Sequence, residues 1–359
     1  MKTTVKRSAA AIALLSAMAL PLSANAGLMD LTSLFVFGDS LSDGGNSGLR
    51  TQQYTGNPNI VVPPPPYYNG QYSNGPVAVE YLWNSYNPAN PAGFKPSLAG
   101  GTNYAIGGST TGSANFNSVN NNVPVQLQPA FNNYGNAWQL QTFAAQQPAF
   151  NPATSLFVVW LFPNDVFYAG GTNASGVVPG SPGGPDVVSN GIANILTTIL
   201  TLAAAGAEHF LIPNMPDLGL TPEFAGGPQA GFLSALTGIF NSNLAAQLTA
   251  LDAMLAAEIV QFDTAGAFAN ILANPDAYGF ENTTESCVAN LASGKCNASN
   301  WDKWLFWDGV HPTTATHQLL GAQFAAAVPE PASLALLAIA LLALFSLGGR
   351  RSGRRSIAL

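Results

Sequence analysis

Charge is what this sequence has least of. Only 8% of its 359 residues are Asp, Glu, Lys or Arg, and 18 acidic residues outnumber 11 basic ones, for a formal charge of −7. So few cations offer no electrostatic footprint for a phosphate backbone, which excludes nucleic acid as the main partner. Metal-binding patterns are missing as well. There is no Cys-x-x-Cys and no His-Glu-x-x-His, and the three histidines, His209, His311 and His317, are not paired with acids at ligand spacing. No metal and no cofactor is therefore expected. What the chain does have is apolar material, 47% of its residues, enough for a large buried core and too much for a disordered chain.

The few basic residues are not spread evenly. Seven lie at the two extremities, and Arg50, Lys95, Lys295 and Lys303 alone remain between. Residues 27–327 therefore set four basic against 17 acidic residues, a net −13. At the N-terminus, Lys2 to Arg7 precede an apolar run from Ala9 to Leu20, then Pro21 and the small-residue site Ala24-Asn25-Ala26. That order predicts a secretory signal over 1–26, with a first membrane helix as the alternative, although the run is short for a span. At the other end, Val328-Pro329-Glu330-Pro331 is followed by eighteen uncharged residues, Ala332 to Gly349, and then by Arg350, Arg351, Arg354 and Arg355. A transmembrane helix over about 332–349 is expected, with the arginines holding its end in the cytoplasm. The segment 328–359 resembles the PEP-CTERM sorting signal of Gram-negative bacteria. That resemblance implies an exosortase as partner, transient anchoring, then release or surface attachment, with an exopolysaccharide matrix as a further partner. A permanent anchor is the alternative. Cys287 and Cys296 suit such an exported chain and are expected to close a short disulfide loop, two free thiols being the other option.

Between these ends, 27–327 reads as one domain. Apolar runs bounded by turn residues, Leu34–Phe37, Leu156–Trp160 and His209–Ile212, predict buried parallel strands. Helices are expected over Val187–Ala205, opened by Asp186, over Phe232–Ala257 and over Thr313–Ala327. The stretches Pro63–Pro76 and Asn115–Asn136 read as long surface loops. Alternating strand and helix predicts a three-layer α/β/α domain with a parallel central sheet.

Chemistry-bearing residues fall at the ends of these strands. Gly38-Asp39-Ser40-Leu41-Ser42 directly follows the first one, where open parallel sheets gather reactive groups, and a serine there can present its hydroxyl at the start of a helix. The elbow Gly-x-Ser-x-Gly is not met, because position 42 is serine. Near the chain's end, Asp308 precedes His311 by three residues, close enough to reach the ring Nδ1 and leave Nε2 free to take a serine proton. His317 has no such acid behind it, and His209, at a strand start, reads as structural. Asn103–Ser109, with Gly107 and Gly108, and Phe162-Pro163-Asn164-Asp165 are candidates to hold a developing oxyanion.

Taken together, Gly38-Asp-Ser-Leu41, Gly108, Asn164 and Asp308-x-x-His311 resemble the four blocks of the GDSL/SGNH hydrolases, in the branch of secreted lipases, thermolabile-haemolysin-like enzymes and plant esterases. Phe37–Asn46, Tyr72–Pro76 and Phe306–Pro312 extend the likeness. It implies a flavodoxin-like fold and ester hydrolysis, with Ser40 as nucleophile, His311 as base and Asp308 orienting it. The Ser40 N–H, the Gly108 N–H (chosen over Gly107 by its spacing from Asn103) and the Asn164 side chain would hold the oxyanion. The implied substrate is an ester, of a lipid or an acylated polysaccharide; acyl transfer by the same triad and a non-catalytic matrix-binding scaffold are the alternatives. One position departs from the pattern. Phe162 stands where the third block has glycine, and its bulk is expected to narrow the pocket or shift the loop carrying Asn164.

Overall fold

A computed structural model of the chain describes residues 28 and 30–329. The expected signal peptide 1–26 and the expected membrane helix at about 332–349 lie outside the described residues.

Four parallel strands form the central sheet in the order β1 (Ser33–Gly38), β2 (Ser155–Trp160), β3 (His209–Pro213) and β4 (Glu258–Phe262). Side chains alternate across a strand, and here both faces are apolar. Phe35, Phe37, Phe157, Val159, Phe210 and Ile212 point into one core, and Leu34, Val36, Leu156, Val158, Trp160 and Leu211 into the other. Fully burying each such side chain stabilises the fold by about 1.5–3 kcal/mol.

The first core is closed by α3 (Asn136–Gln146), α5 (Val187–Ala204) and α6 (Ala230–Asp252). The second is closed by α2 (Ala78–Tyr86), α7 (Thr264–Ala273) and α8 (Thr314–Ala327). Two short helices, α1 (Asn46–Thr55) and α4 (Pro163–Tyr168), follow β1 and β2. Among the described residues, α5 alone is long and apolar enough to cross a membrane, but more than half of it is buried in the first core. The result is the three-layer α/β domain with a parallel sheet that the sequence predicts.

Beside β1, on the edge away from β2, Thr102–Ile106 runs parallel: Val36 N–H donates to Thr102 O at 3.2 Å and Tyr104 N–H to Val36 O at 2.8 Å. Chain segments thus leave β1 in both directions. At such a switch point the loops beyond the strand ends part and leave a crevice.

Two expectations need correction. The helix expected to reach Ala257 ends at Asp252, and the next residues turn into β4, which was not among the expected strands. Asp252 Oδ1 accepts the Ile259 N–H at 2.9 Å and ties the turn to the strand. As an edge strand β4 is only half buried, so it lacks the continuous apolar run that marks its neighbours. The stretches 63–76 and 115–136 hold no strand, and the second has two short 3-10 turns, Phe116–Ser118 and Gln128–Phe131, before α3 begins; neither is wholly superficial. Tyr72, Ser73, Asn115 and Asn117 are buried because their polar groups find internal partners, Asn117 Nδ2 donating to the Tyr72 hydroxyl at 2.6 Å and to Gly107 O at 3.0 Å, and Phe131 is buried in an apolar cluster with Val62 and Ile106.

A small second sheet pairs β5 (Asn282–Ser286) with β6 (Trp304–Phe306). Cys287 and Cys296 form a disulfide beside it, packed with Trp304 and Trp307. The Cys287 N–H donates to Phe306 O at 3.2 Å and the Val288 N–H to Trp307 O at 2.8 Å, so this staple backs the segment just before Asp308.

Candidate active site

Ser40 lies two residues beyond the end of β1, in a turn rather than at the start of a helix; α1 begins six residues later. Two aspartates shape this loop. Asp39 Oδ1 accepts the Leu41 N–H at 3.0 Å. Asp43 accepts the N–H groups of Gly45, Asn46 and Ser47 at the beginning of α1, at 2.8, 2.6 and 3.1 Å, donors that a helix start leaves without internal partners. Gly38 must be small, since a Cβ there would meet Ser42 Cβ at 2.9 Å and Trp160 O at 3.2 Å. Its backbone is gripped on both sides by Gln139 of α3, which accepts the Gly38 N–H at 2.9 Å and donates to Gly38 O at 2.7 Å.

The other half comes from the turn after β6. Both N–H groups of Val310 and His311 donate to Asp308 Oδ1, at 2.9 and 2.7 Å, so the three-residue spacing closes on itself. His311 Nδ1 lies 2.7 Å from Asp308 Oδ2, and His311 Nε2 lies 2.7 Å from Ser40 Oγ. Residues 271 positions apart are thus joined in one hydrogen-bonded line. Tyr72 packs on the imidazole, with ring centroids 5.1 Å apart.

The three residues expected to face an oxyanion, Ser40, Gly108 and Asn164, line the same cavity, which has a volume of about 650 Å³. The Gly107 N–H is engaged elsewhere, donating to Asp43 Oδ2 at 2.8 Å and Ser47 Oγ at 2.9 Å. Among the described residues the N–H groups of Ser40 and Gly108 have no acceptor. Gly108 has φ +80°, a conformation open to glycine at little cost, and a Cβ there would run into Asn115 and Asn117. Asp165, the residue after Asn164, anchors the two arms to each other: it accepts the Thr111 N–H at 2.8 Å and the Thr111 hydroxyl at 2.6 Å.

The expectation that Phe162 crowds the pocket is not met. Its side chain is fully buried in the first core, stacked on Phe240 with centroids 3.6 Å apart and planes 3° apart. The backbone carries the burden instead, with φ +124° and ψ −34°, a region where a side chain is strained.

Electrostatics favour the imidazole's charged form more than usual. Burial disfavours the His311 imidazolium, but the negative charges of Asp308, Asp39 and Glu223 outweigh burial and raise its pKa above the ordinary 6.5. Burial likewise opposes the Asp308 anion, yet His311 and the two backbone donors hold its carboxyl below the usual range. Asp39 is pushed up to about 7, chiefly by burial, with Asp165 adding to the rise. The other histidines take structural places. His317 is buried, accepts the Ala78 N–H at Nδ1 (3.2 Å) and is pushed down to about 3 by burial, so it stays neutral. His209 lies 3.1 Å from Glu258 across β3 and β4. Among the described residues, no three His, Cys, Asp or Glu side chains converge as a metal ion would need.

Several residues of the site were not singled out by sequence reasoning. Asp43, just ahead of a helix, carried a signal, the preference of Asp for helix starts. Gln139 and Tyr67 carried none. The Tyr67 hydroxyl donates to Asp308 Oδ2 at 2.7 Å across 241 residues.

Comparison with known proteins places the chain among its relatives. The GDSL-like lipase/acylhydrolase profile matches residues 34–324, and the PEP-CTERM protein-sorting motif matches residues 327–355, implying export, sorting to the cell surface and exosortase processing. The chain is 30% identical over 318 residues to an uncharacterized protein from the trpE-trpG intergenic region of Pseudomonas putida, covering 85% of this chain and 50% of that one. It is 26% identical over 302 residues to the thermolabile hemolysin of Vibrio parahaemolyticus, covering 80% and 62%. It is 25% identical over 367 residues to the phosphatidylcholine-sterol acyltransferase of Aeromonas hydrophila, covering 90% and 95%. The chain thus spans 50% and 62% of the length of the first two relatives. From Leu34 at the start of the sheet to Phe324 in its last helix, the chain belongs to the GDSL-like lipase/acylhydrolase family.

Proposed function

We propose that the chain is an exported serine esterase that hydrolyses carboxylic esters through an acyl-serine intermediate. The observation that carries this reading is the unbroken line from Ser40 Oγ through His311 to Asp308, 2.7 Å at each step, at the wall of a large cavity with free N–H donors beside it. In the first step Ser40 Oγ attacks the ester carbonyl carbon while His311 Nε2 takes the hydroxyl proton. The carbonyl oxygen becomes an oxyanion facing the Ser40 and Gly108 N–H groups and the Asn164 side chain, each donor contributing roughly 10²–10³ in rate. Collapse of this intermediate expels the alcohol, which leaves with the proton held by His311. A water molecule, deprotonated by His311, then attacks the acyl-serine; the acid departs and Ser40 regains its proton.

The cavity walls are largely apolar, with Val62, Phe116, Val166, Phe167, Phe224 and Leu233 among them, which suits an acyl chain. Its charged lining is Asp39, Glu223 and Asp308, with no lysine or arginine, which suits an uncharged ester of a lipid or an acylated polysaccharide better than an anionic one. In the domain plan that goes with this reading, 1–26 is a signal peptide and 27–327 the hydrolase. Residues 328–359 hold the chain in the inner membrane of a Gram-negative cell until exosortase acts.

Hydrolysis of a chromogenic short-chain acyl ester by the full chain, against Ser40→Ala, tests the mechanism. The variant is expected to lose roughly four orders of magnitude in kcat or more; equal rates refute it. Acyl transfer is the second reading, favoured by the likeness to an acyltransferase over 95% of that protein's length. Product analysis with an added alcohol acceptor separates the two. The scaffold reading had two supports, the bulk of Phe162 and the sorting tail; the first is weakened because Phe162 turns its side chain away from the cavity, and the second remains.

A further inference from the structure

A carboxylate offers about four lone-pair positions, and at Asp308 all four are taken. Oδ1 accepts the Val310 and His311 N–H groups, and Oδ2 accepts His311 Nδ1 and the Tyr67 hydroxyl, the last two both at 2.7 Å. Three of these donors belong to the Asp308 turn itself. Tyr67 comes from the loop after α1 and is held in place by aromatic edges: its ring lies 6.2 Å from Trp307 and 6.5 Å from Tyr72.

We propose that Tyr67 is a positioning residue which acts through Asp308, locking the carboxylate against rotation and sharing the negative charge that His311 feels. The inference rests on the triad reading above. Two donors on one oxygen compete: electron density drawn toward the Tyr67 hydroxyl is withdrawn from the imidazole. Removing that hydroxyl therefore strengthens the Asp308–His311 attraction and makes His311 a stronger base that is harder to keep neutral. Tyr67 is suited to this task because its hydroxyl keeps its proton, and so remains a donor to Asp308, at any working pH. Burial first, and then the adjacent Asp308 charge, push its hydroxyl pKa far above the ordinary value. The other groups that face His311 are Ser40 and Asp39 after β1, Glu223 before α6, Tyr72, and the neutral His317 on α8. All of them stay in place when Tyr67 alone is changed to phenylalanine, which keeps the ring and its edge contacts.

The test is the titration of the three histidine rings by NMR in the full chain, purified in non-ionic detergent, for the wild type, Tyr67→Phe, Asp308→Asn and the double variant. In Tyr67→Phe the His311 pKa is expected to rise by roughly half to one unit, about half the scale of one hydrogen bond to a charged group, because the effect reaches the imidazole only through Asp308. The acid limb of kcat/KM should move by the same amount. In the Asp308→Asn background, where the shared charge is gone, Tyr67→Phe should move His311 by less than a third of that shift. An unchanged His311 titration in Tyr67→Phe overturns the proposal, as does an equal shift with and without the carboxylate. The NMR readout needs no turnover, so its failure is distinct from failure of the esterase reading, which the Ser40→Ala comparison decides.

Discussion

Restoring glycine at position 162 sets two opposing quantities against each other. The Phe162 ring is fully buried, stacked on Phe240 at 3.6 Å, and truncating such a ring costs about 3–5 kcal/mol. Against this, a side chain held at φ +124° stores about 1–3 kcal/mol of backbone strain, which glycine releases. Phe162→Gly is therefore expected to be less stable than the wild type by about 1–3 kcal/mol, while Phe162→Ala, which loses the ring and keeps the strain, falls by about 3–5 kcal/mol. Glycine above alanine inverts the order found at ordinary positions. Gly191 on α5 extends the test, since a Cβ there would lie 2.5 Å from the Phe162 ring. Gly191→Ala should destabilise the wild type by about 1–3 kcal/mol. Beside Phe162→Gly it should instead stabilise, by about 1 kcal/mol of helix propensity and by filling the space left behind. Urea denaturation followed by tryptophan fluorescence measures all four variants, with a common m-value as the control. If Phe162→Ala proves as stable as Phe162→Gly, the positive φ carries no strain and the argument fails.

Four further outcomes are expected. Because burial is outweighed by Asp308, Asp39 and Glu223, the His311 pKa lies above 6.5, and only neutral His311 can take a proton; kcat/KM should therefore rise with pH through a midpoint above 6.5. Glu223→Gln removes one of the charges favouring the imidazolium and should lower that midpoint, measurable from the pH profile. A chromogenic ester whose acyl chain ends in a carboxylate should react about tenfold or more slowly than its neutral isostere at low salt, and the gap should narrow in Glu223→Gln. Reducing the Cys287–Cys296 bond, which closes a short loop of sequence separation 9, should lower stability by about 2–3 kcal/mol in a denaturation series with and without reductant.

What the sequence made legible and what it hid have physical reasons. Strands β1 to β3 are buried on both faces and read as apolar runs, whereas the half-exposed edge strand β4 does not. Asp308 and His311 share one turn, so their spacing itself reports a contact, and Ser40 betrays its place by following a buried strand. Tyr67 meets Asp308 only through the tertiary fold, and nothing in its local sequence marks it. Phe162 was visible as an anomaly, but its consequence was not: whether a bulky residue blocks a pocket or strains a backbone depends on which way χ1 points.

The distance in sequence between Ser40 and His311 also bears on when the site comes into being. The serine stands near the beginning of the described domain, and its partner arrives 271 residues later, just ahead of α8. In the proposed serine mechanism the nucleophile is therefore synthesised first and has no base until residue 311 has been made and folded against it. Closing so long a loop costs roughly 3 kcal/mol more in chain entropy than closing one of about ten residues, a cost that the packing of the folded domain offsets. On that proposal, completion of the domain is itself the condition for activity, because neither half of the serine–histidine pair can act alone.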